Sequence, residues 1–307
     1  MTSRITPRLA LLMVVPPLLW AGNTVVGRLL VGSVPPLALN ALRWALAAAL
    51  LLPLAWRVFQ RPADITRRLP YLVVLGGLGV GSYNALQYLA VQTSTPINIT
   101  LIAASGPLWM MAAGFLLHRE HPTRQQGLGA VFSLAGVALV LSRGQPASLL
   151  ELKLVTGDLL MLLAAALWAV YSWMLARPPV HMQGEARPRW NWAEFLFVQV
   201  LFGGLWAAGA AGIEAWFFNP SPILWTPWVF GAWLYVSLAA SILAYWLWGV
   251  GVAGAGPSVA AFFANLTPAF AAVMSAALLK EPPRWYHLLA FALIAVGIAV
   301  SSRTRKR

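Results

Sequence analysis

Cysteine is absent from the sequence, which excludes a disulfide framework, a thiolate metal site and a dithiol redox pair. Charge is nearly as scarce: charged residues fill 9% of the 307 positions, against about 25% in soluble domains. No soluble surface can be built from so few charges. Four histidines (His118, His121, His181 and His287) are scattered along the chain. The eight carboxylates, Asp64, Glu120, Glu151, Asp158, Glu185, Glu194, Glu214 and Glu281, all fall in expected loops or at helix ends. These residues supply no paired carboxylates, no His/Asp cluster and no Ser-His arrangement at a common depth, so an integral membrane enzyme is not expected. Neither a cofactor nor a metal is expected. The chain has no Walker loop, and Gly76, Gly77, Gly79 and Gly81 lack the spacing and the strand-to-helix context of a phosphate loop. Those glycines read as sites of close helix packing.

What fills the chain instead is apolar sequence, 60% of it, with a mean hydropathy of +0.73. Ten apolar segments follow one another at 9–30, 37–56, 70–91, 97–117, 126–142, 157–176, 193–213, 228–248, 257–279 and 286–302. A spanning helix needs about 20 residues, so each is close to the required length, with the fifth and tenth short. Only helices satisfy the backbone of such runs in lipid. The expected fold is therefore an all-α integral membrane protein of ten transmembrane helices. Arg4 and Arg8 ahead of an apolar run from Leu9 have the outline of a signal peptide. Pro16-Pro17 interrupts that run and no Ala-x-Ala site follows, so it reads as the first span.

The net charge of +13 carries no nucleic-acid recognition module with it and reads as membrane topology. Fifteen Lys and Arg fall at the termini and in the loops after spans 2, 4, 6 and 8; five fall in the opposite loops. Basic loops stay on the cytoplasmic side, which predicts that both termini lie in the cytoplasm and the chain in the inner (plasma) membrane. Trp56, Trp190, Trp192, Trp216, Trp225, Trp228 and Trp285 fall near predicted helix ends, where indoles anchor at the headgroups.

A shift of 161 residues brings Pro96 onto Pro257, Pro107 onto Pro268, Glu120 onto Glu281, Pro122 onto Pro283 and Gly136 onto Gly297. A weaker echo pairs Leu19-Trp20-Ala21 with Leu167-Trp168-Ala169. The chain thus divides into two five-helix repeats, 1–147 and 148–307. Five is odd, so the second repeat enters the membrane from the opposite side. Inverted repeats place a solute near the bilayer midplane and exchange conformations to give two access states. A secondary transporter is the expected function.

Trp20-Ala21-Gly22-Asn23, Arg43 and the two Pro-x12-Glu elements resemble the EamA-type drug/metabolite transporter superfamily, over essentially the whole chain. Within it, the aromatic load and the sequence of spans 1 to 3 look most like YddG-type amino-acid exporters. The resemblance implies ten helices around a central cavity and export of aromatic and other neutral amino acids. Multidrug and nucleotide-sugar carriers share the scaffold and stay open as alternatives. The implied partners are a small-molecule solute and the lipid bilayer, in a monomer or weak dimer.

Candidate site residues follow from polarity at depth. Arg43 is the one formal charge well inside a span, where insertion costs about 2.5–3.5 kcal/mol. It reads either as a bidentate partner for a substrate carboxylate or as a structural arginine near Asn40. Tyr83, Asn84, Gln87 and Tyr88 form a polar stripe on span 3, expected to face the bundle interior as a cavity wall or as interhelical bonds. Asn23, Trp168, Tyr171, Tyr245 and Asn265 lie at comparable depth in spans 1, 6, 8 and 9 and complete the expected pocket. Pro107 and Pro268 are expected to kink their helices, as hinges or as fixed bends, with Glu120 and Glu281 in the turns that follow. No carboxylate lies deep enough to relay a proton, which brings facilitated diffusion or exchange into consideration.

Overall fold

Ten helical stretches, joined by loops and short helical turns, and no strand are found among the described residues of the chain. The computed structural model describes residues 5–94, 99, 102–142, 144–151, 155–218, 220–279 and 284–302. The stretches are α1 (Pro7–Leu29), α2 (Pro36–Ala55), α3 (69–93), α4 (Gly106–His118, with a helical turn at 102–104 ahead of it) and α5 (Arg124–Leu141). Then come α6 (Thr156–Ala176), α7 (Trp192–Phe218), α8 (Pro227–Ala255), α9 (257–279) and α10 (Trp285–Ser301). Of these, α1, α2, α3, α6, α7 and α8 are long and apolar enough to cross a membrane. The shorter α4, α5, α9 and α10 pack on one another. Pro36, Pro227 and Pro257 open their helices at the first position, where the missing N–H would have had no partner.

Polarity is distributed inside out. Leu11, Leu116, Leu163, Leu205 and Leu288 are exposed on the bundle's outer surface, whereas Asn23, Asn40, Arg43, Asn84, Gln199, Ser241 and Asn265 are buried. Hydrocarbon solvates the leucines, and the polar groups find partners only within the protein. Six of the seven tryptophans expected at helix ends are exposed, and Trp190 is half-buried.

Helix packing repeats itself between the two sets of five. α3 lies on α6 as α8 lies on α1, α4 on α6 as α9 on α1, and α3 on α7 as α8 on α2. The pairs α2–α7, α4–α9 and α5–α10 complete the bundle. In α5–α10 a Cβ at Gly136 would stand 2.8 Å from the Ala290 carbonyl oxygen, and one at Gly297 would stand 2.8 Å from that of Gly129. The matched glycines therefore do the same work in both copies: they bring two antiparallel backbones into contact.

Two local features are matched as well, and the first is not visible in composition. α3 contains one turn of wider π-helix at Gly77–Ser82, and α8 contains another at Leu238–Leu243, 161 residues on. α4 and α9 break at Ser105 and Asn265, where the backbone turns to φ −71°, ψ 0° and φ −68°, ψ −4°. The breaks precede Pro107 and Pro268, whose rings cannot continue the backbone ladder. Pro96, Glu281 and Pro283 lie outside the described residues.

Two helices outrun the sequence-based boundaries. α7 continues to Phe218 because Glu214, expected at the helix end, is buried and accepts the N–H groups of Leu37 (3.1 Å) and Ala38 (2.9 Å). It caps the start of α2 from a neighbouring helix. α8 continues to Ala255 because Gly251 and Gly254 lie against Met13 and Leu9 of α1.

A central aromatic and amide cavity

Trp168, midway along α6, is surrounded by five rings from four helices. Its centroid lies 5.5 Å from Trp20, 5.0 Å from Tyr83, 5.0 Å from Tyr171, 5.4 Å from Tyr245 and 5.3 Å from Trp248. Trp20 and Trp168, partners in the weaker sequence echo, meet edge-to-face. Small residues make room for the cluster: Gly79 lies under the Tyr171 ring, and Gly22 under the Tyr235 hydroxyl that donates to the Leu19 carbonyl (2.8 Å). Three of the four glycines of α3 noted in the sequence pack this way, Gly76 against Gly203 of α7 and Gly81 against Trp206; Gly77 meets nothing.

A cavity of about 120 Å³ opens beside this cluster. Of the expected residues it gathers Asn23, Tyr83, Asn84, Gln87, Trp168 and Tyr245. Pro268 joins them at the kink of α9. Trp20, Thr24, Met110, Trp248 and Thr267 also line it. Sequence reasoning left these out of the site, although Trp248 stands one helical turn from Tyr245 and Trp20 is the echo of Trp168.

The remaining expected residues lie behind the wall. Arg43 is fully buried, and its guanidinium donates to Ser241 Oγ (2.8 Å), Asn84 Oδ1 (3.0 Å), the Tyr88 hydroxyl (3.0 Å) and the Ala240 carbonyl (3.3 Å). The Ala240 carbonyl belongs to the π turn of α8, and it also accepts Trp20 Nε1 (3.2 Å). Its counterpart in the π turn of α3, the Gly79 carbonyl, accepts the Tyr245 hydroxyl (2.7 Å). A π turn displaces a carbonyl from the helical ladder, and in both copies a side chain of the other half takes it up. Tyr171 donates to Gln199 (3.0 Å), and Asn265 donates to Ser133 of α5 (2.7 Å). Tyr88 faces a second cavity of about 210 Å³, which the 30–36 loop and Ser221 line at the end of the bundle away from the termini.

The described carboxylates keep to the two ends. Asp158, Glu194 and Glu214 are buried there, and each accepts backbone N–H groups at a helix start, as a capping group does. Asp158 also accepts the Ser94 hydroxyl. Glu120 is exposed and pairs with Arg177 across the basic end.

The model of the EamA-like transporter family matches residues 8–142 and again residues 155–303. The chain belongs to the EamA-like transporter family. It is 25% identical to the uncharacterized transporter YyaM of Bacillus subtilis over 89% of this chain and 86% of that one. It is also 25% identical to an uncharacterized transporter of Archaeoglobus fulgidus over 95% and 96%. A solved structure titled "Crystal structure of protein" superposes with a TM-score of 0.70 at 21% identity, over 95% of this chain and 96% of the other, and shares its fold. The family is one of membrane transporters, not of enzymes, so the EamA-type resemblance holds and the chain moves a small-molecule substrate across a bilayer.

Proposed function

We propose that this EamA-family transporter exports small amphipathic metabolites, foremost aromatic and other neutral amino acids, as YddG-type exporters do. The observation that carries the reading is the cavity itself. Rings of Trp20, Tyr83, Trp168, Tyr245 and Trp248 stand beside the amides of Asn23, Asn84 and Gln87. Aromatic bodies beside polar tips suit a solute with an apolar side chain and a polar head. Volume favours a small cargo: about 120 Å³ lies well below the roughly 300–1,000 Å³ of pockets for drug-sized ligands. A nucleotide sugar needs cationic groups for its phosphates, and no lysine or arginine is among the described lining residues.

The two five-helix halves, divided at residues 147 and 148, exchange conformations around this cavity. The kinks before Pro107 and Pro268 and the matched π turns are where the bending takes place. The fifteen-to-five division of basic residues supports an orientation with both termini in the cytoplasm, in a chain that this reading assigns to the plasma membrane. With the described carboxylates lying at the two ends, transport runs downhill or by exchange rather than through a proton relay at the midplane. The test is counterflow in proteoliposomes with labelled amino acids, with and without a pH gradient. Uptake of phenylalanine or tryptophan against preloaded unlabelled solute, without a gradient, is expected; retention of every amino acid outside would reject the cargo.

A further inference from the structure

Arg43 does not line the cavity, yet its chemistry dictates how the cavity wall is wired. A guanidinium has only donors, so every atom facing it must be an acceptor. Asn84 therefore turns its Oδ1 to Arg43 (3.0 Å), which turns its Nδ2 the other way. One hydrogen of Nδ2 goes to the Tyr245 hydroxyl (3.2 Å), whose own hydrogen goes to the Gly79 carbonyl (2.7 Å). The other hydrogen has no partner among the described residues.

A second relay runs through Tyr88. Its hydroxyl accepts from Arg43 (3.0 Å), so its hydrogen is left for Asn23 Oδ1 at 3.5 Å. Asn23 Nδ2 then makes no hydrogen bond among the described residues. Asn23 and Asn84 are each only 4% exposed, and both line the cavity. Trp168 Nε1, a donor only, is likewise without a bond among the described residues, whereas Trp20 and Trp248 use theirs on the Ala240 carbonyl and Ser172 Oγ. Among the described residues, no carboxylate lines the cavity to answer these donors.

We infer that the cavity recognises its cargo by a carboxylate, which takes up the free N–H groups of Asn23, Asn84 and Trp168, and that Arg43 fixes this preference from behind the wall by turning both amides donor-side in. The inference rests on the reading of this cavity as the cargo site and narrows it. A solute with a carboxylate and an aromatic body fits; an organic cation of the same shape leaves buried donors unanswered and brings its own donors against them. Arg43 is here a positioning residue, which settles for neither of its two sequence readings in simple form: it reads the carboxylate through amides that it orients.

Three solutes with one aromatic body separate the terms: phenylalanine, 3-phenylpropionate (carboxylate only) and phenethylamine (amine only). Each is measured as a competitor of labelled phenylalanine in counterflow, and as a ligand that raises the melting temperature of the purified protein. The parent is expected to bind phenylalanine and 3-phenylpropionate at least about tenfold more tightly than phenethylamine, since sites built to bond a polar group reject analogues lacking it. Asn84→Asp still offers an oxygen to Arg43 and so keeps its anchor, but has no donor to present. It is expected to lose stabilisation by 3-phenylpropionate and to gain it from phenethylamine. Asn23→Asp gives a second, independent reading on another helix should the first variant fold poorly.

If phenylalanine is transported but 3-phenylpropionate and phenethylamine compete equally, the carboxylate inference is overturned while the cargo site stands. If both Asp variants fold and keep the parent's preference, the amides are not the recognising donors and the inference is overturned. If phenylalanine neither binds nor exchanges, the cargo reading itself fails and takes the inference with it.

Discussion

Replacing Arg43 by alanine removes four hydrogen bonds from a buried charged group, and the structure says how much of that loss goes uncompensated. Interhelical bonds in membranes average about 0.6 kcal/mol, with a maximum near 1.7, so four of them bracket roughly 2–7 kcal/mol. Three of the acceptors keep other partners: the Ala240 carbonyl retains Trp20 Nε1 (3.2 Å), Ser241 Oγ retains its bond to the Val236 carbonyl (2.7 Å), and the Tyr88 hydroxyl retains its bond to Asn23 Oδ1 (3.5 Å). Asn84 Oδ1 alone loses its donor without replacement among the described residues. The loss should therefore fall in the lower half of the range, about 2–4 kcal/mol. At roughly 2–4 °C per kcal/mol for a chain of this size class, the apparent melting temperature in detergent should drop by about 5–15 °C. Arg43→Lys keeps the charge but not the planar fork, reaches one or two of the four acceptors, and should lose about half as much. The assay is thermal unfolding followed by loss of the monodisperse species on gel filtration. An Arg43→Ala protein melting within about 2 °C of the parent would refute the reasoning, because these bonds would then contribute nothing to holding α2, α3 and α8 together.

Glu214→Ala leaves the first N–H groups of α2 without acceptors and should destabilise the protein by about 1–2 kcal/mol, read by the same thermal assay; Glu214→Gln, which keeps one oxygen, should lose less. Gly136→Leu and Gly297→Leu each force apart the α5 and α10 backbones and should lower folded yield alike, while Gly209→Leu, where an added Cβ meets nothing, should express like the parent. Single cysteines at Thr2 and Thr304 of this cysteine-free chain should react only with reagent on the cytoplasmic side, and one at Ser221 only from outside; accessible termini on opposite sides would end the orientation proposed here.

The helices and the kinship of the two halves were legible because they depend on runs of apolar residues and on prolines and glycines with a backbone reason to recur. Pro107 and Pro268 announce breaks, and Gly136 and Gly297 announce contacts, in letters that survive divergence. The π turns were not legible: Gly77–Ser82 is glycine-rich and Leu238–Leu243 is not, so no shared composition marks them. They are held by side chains far away in sequence, Tyr245 on one and Arg43 with Trp20 on the other. The site was half legible for the same reason. Polarity at depth picked out Asn23, Asn84 and Gln87, but depth alone does not separate a residue that faces the cavity from one that bonds behind it. Tyr171 and Asn265 have partners on α7 and α5 that no spacing reveals. Glu214, expected at the end of span 7, lies inside the helix, because the start of a neighbouring helix is there to receive its carboxylate and no spacing reveals that.

The chain's lack of cysteine allows its cargo site to be tested with one thiol. Gln87→Cys places it on the cavity wall without removing any hydrogen bond made among the described residues, and Ser221→Cys places a control at the second cavity. The rate of modification by a small water-soluble thiol reagent is measured in proteoliposomes, with and without saturating phenylalanine. A cargo seated among Trp168, Asn84 and Gln87 should slow the reaction at position 87 several-fold and leave position 221 unchanged. An unaltered rate at position 87, under conditions where phenylalanine is demonstrably exchanged, would contradict the assignment of this cavity as the place where the transporter holds its substrate.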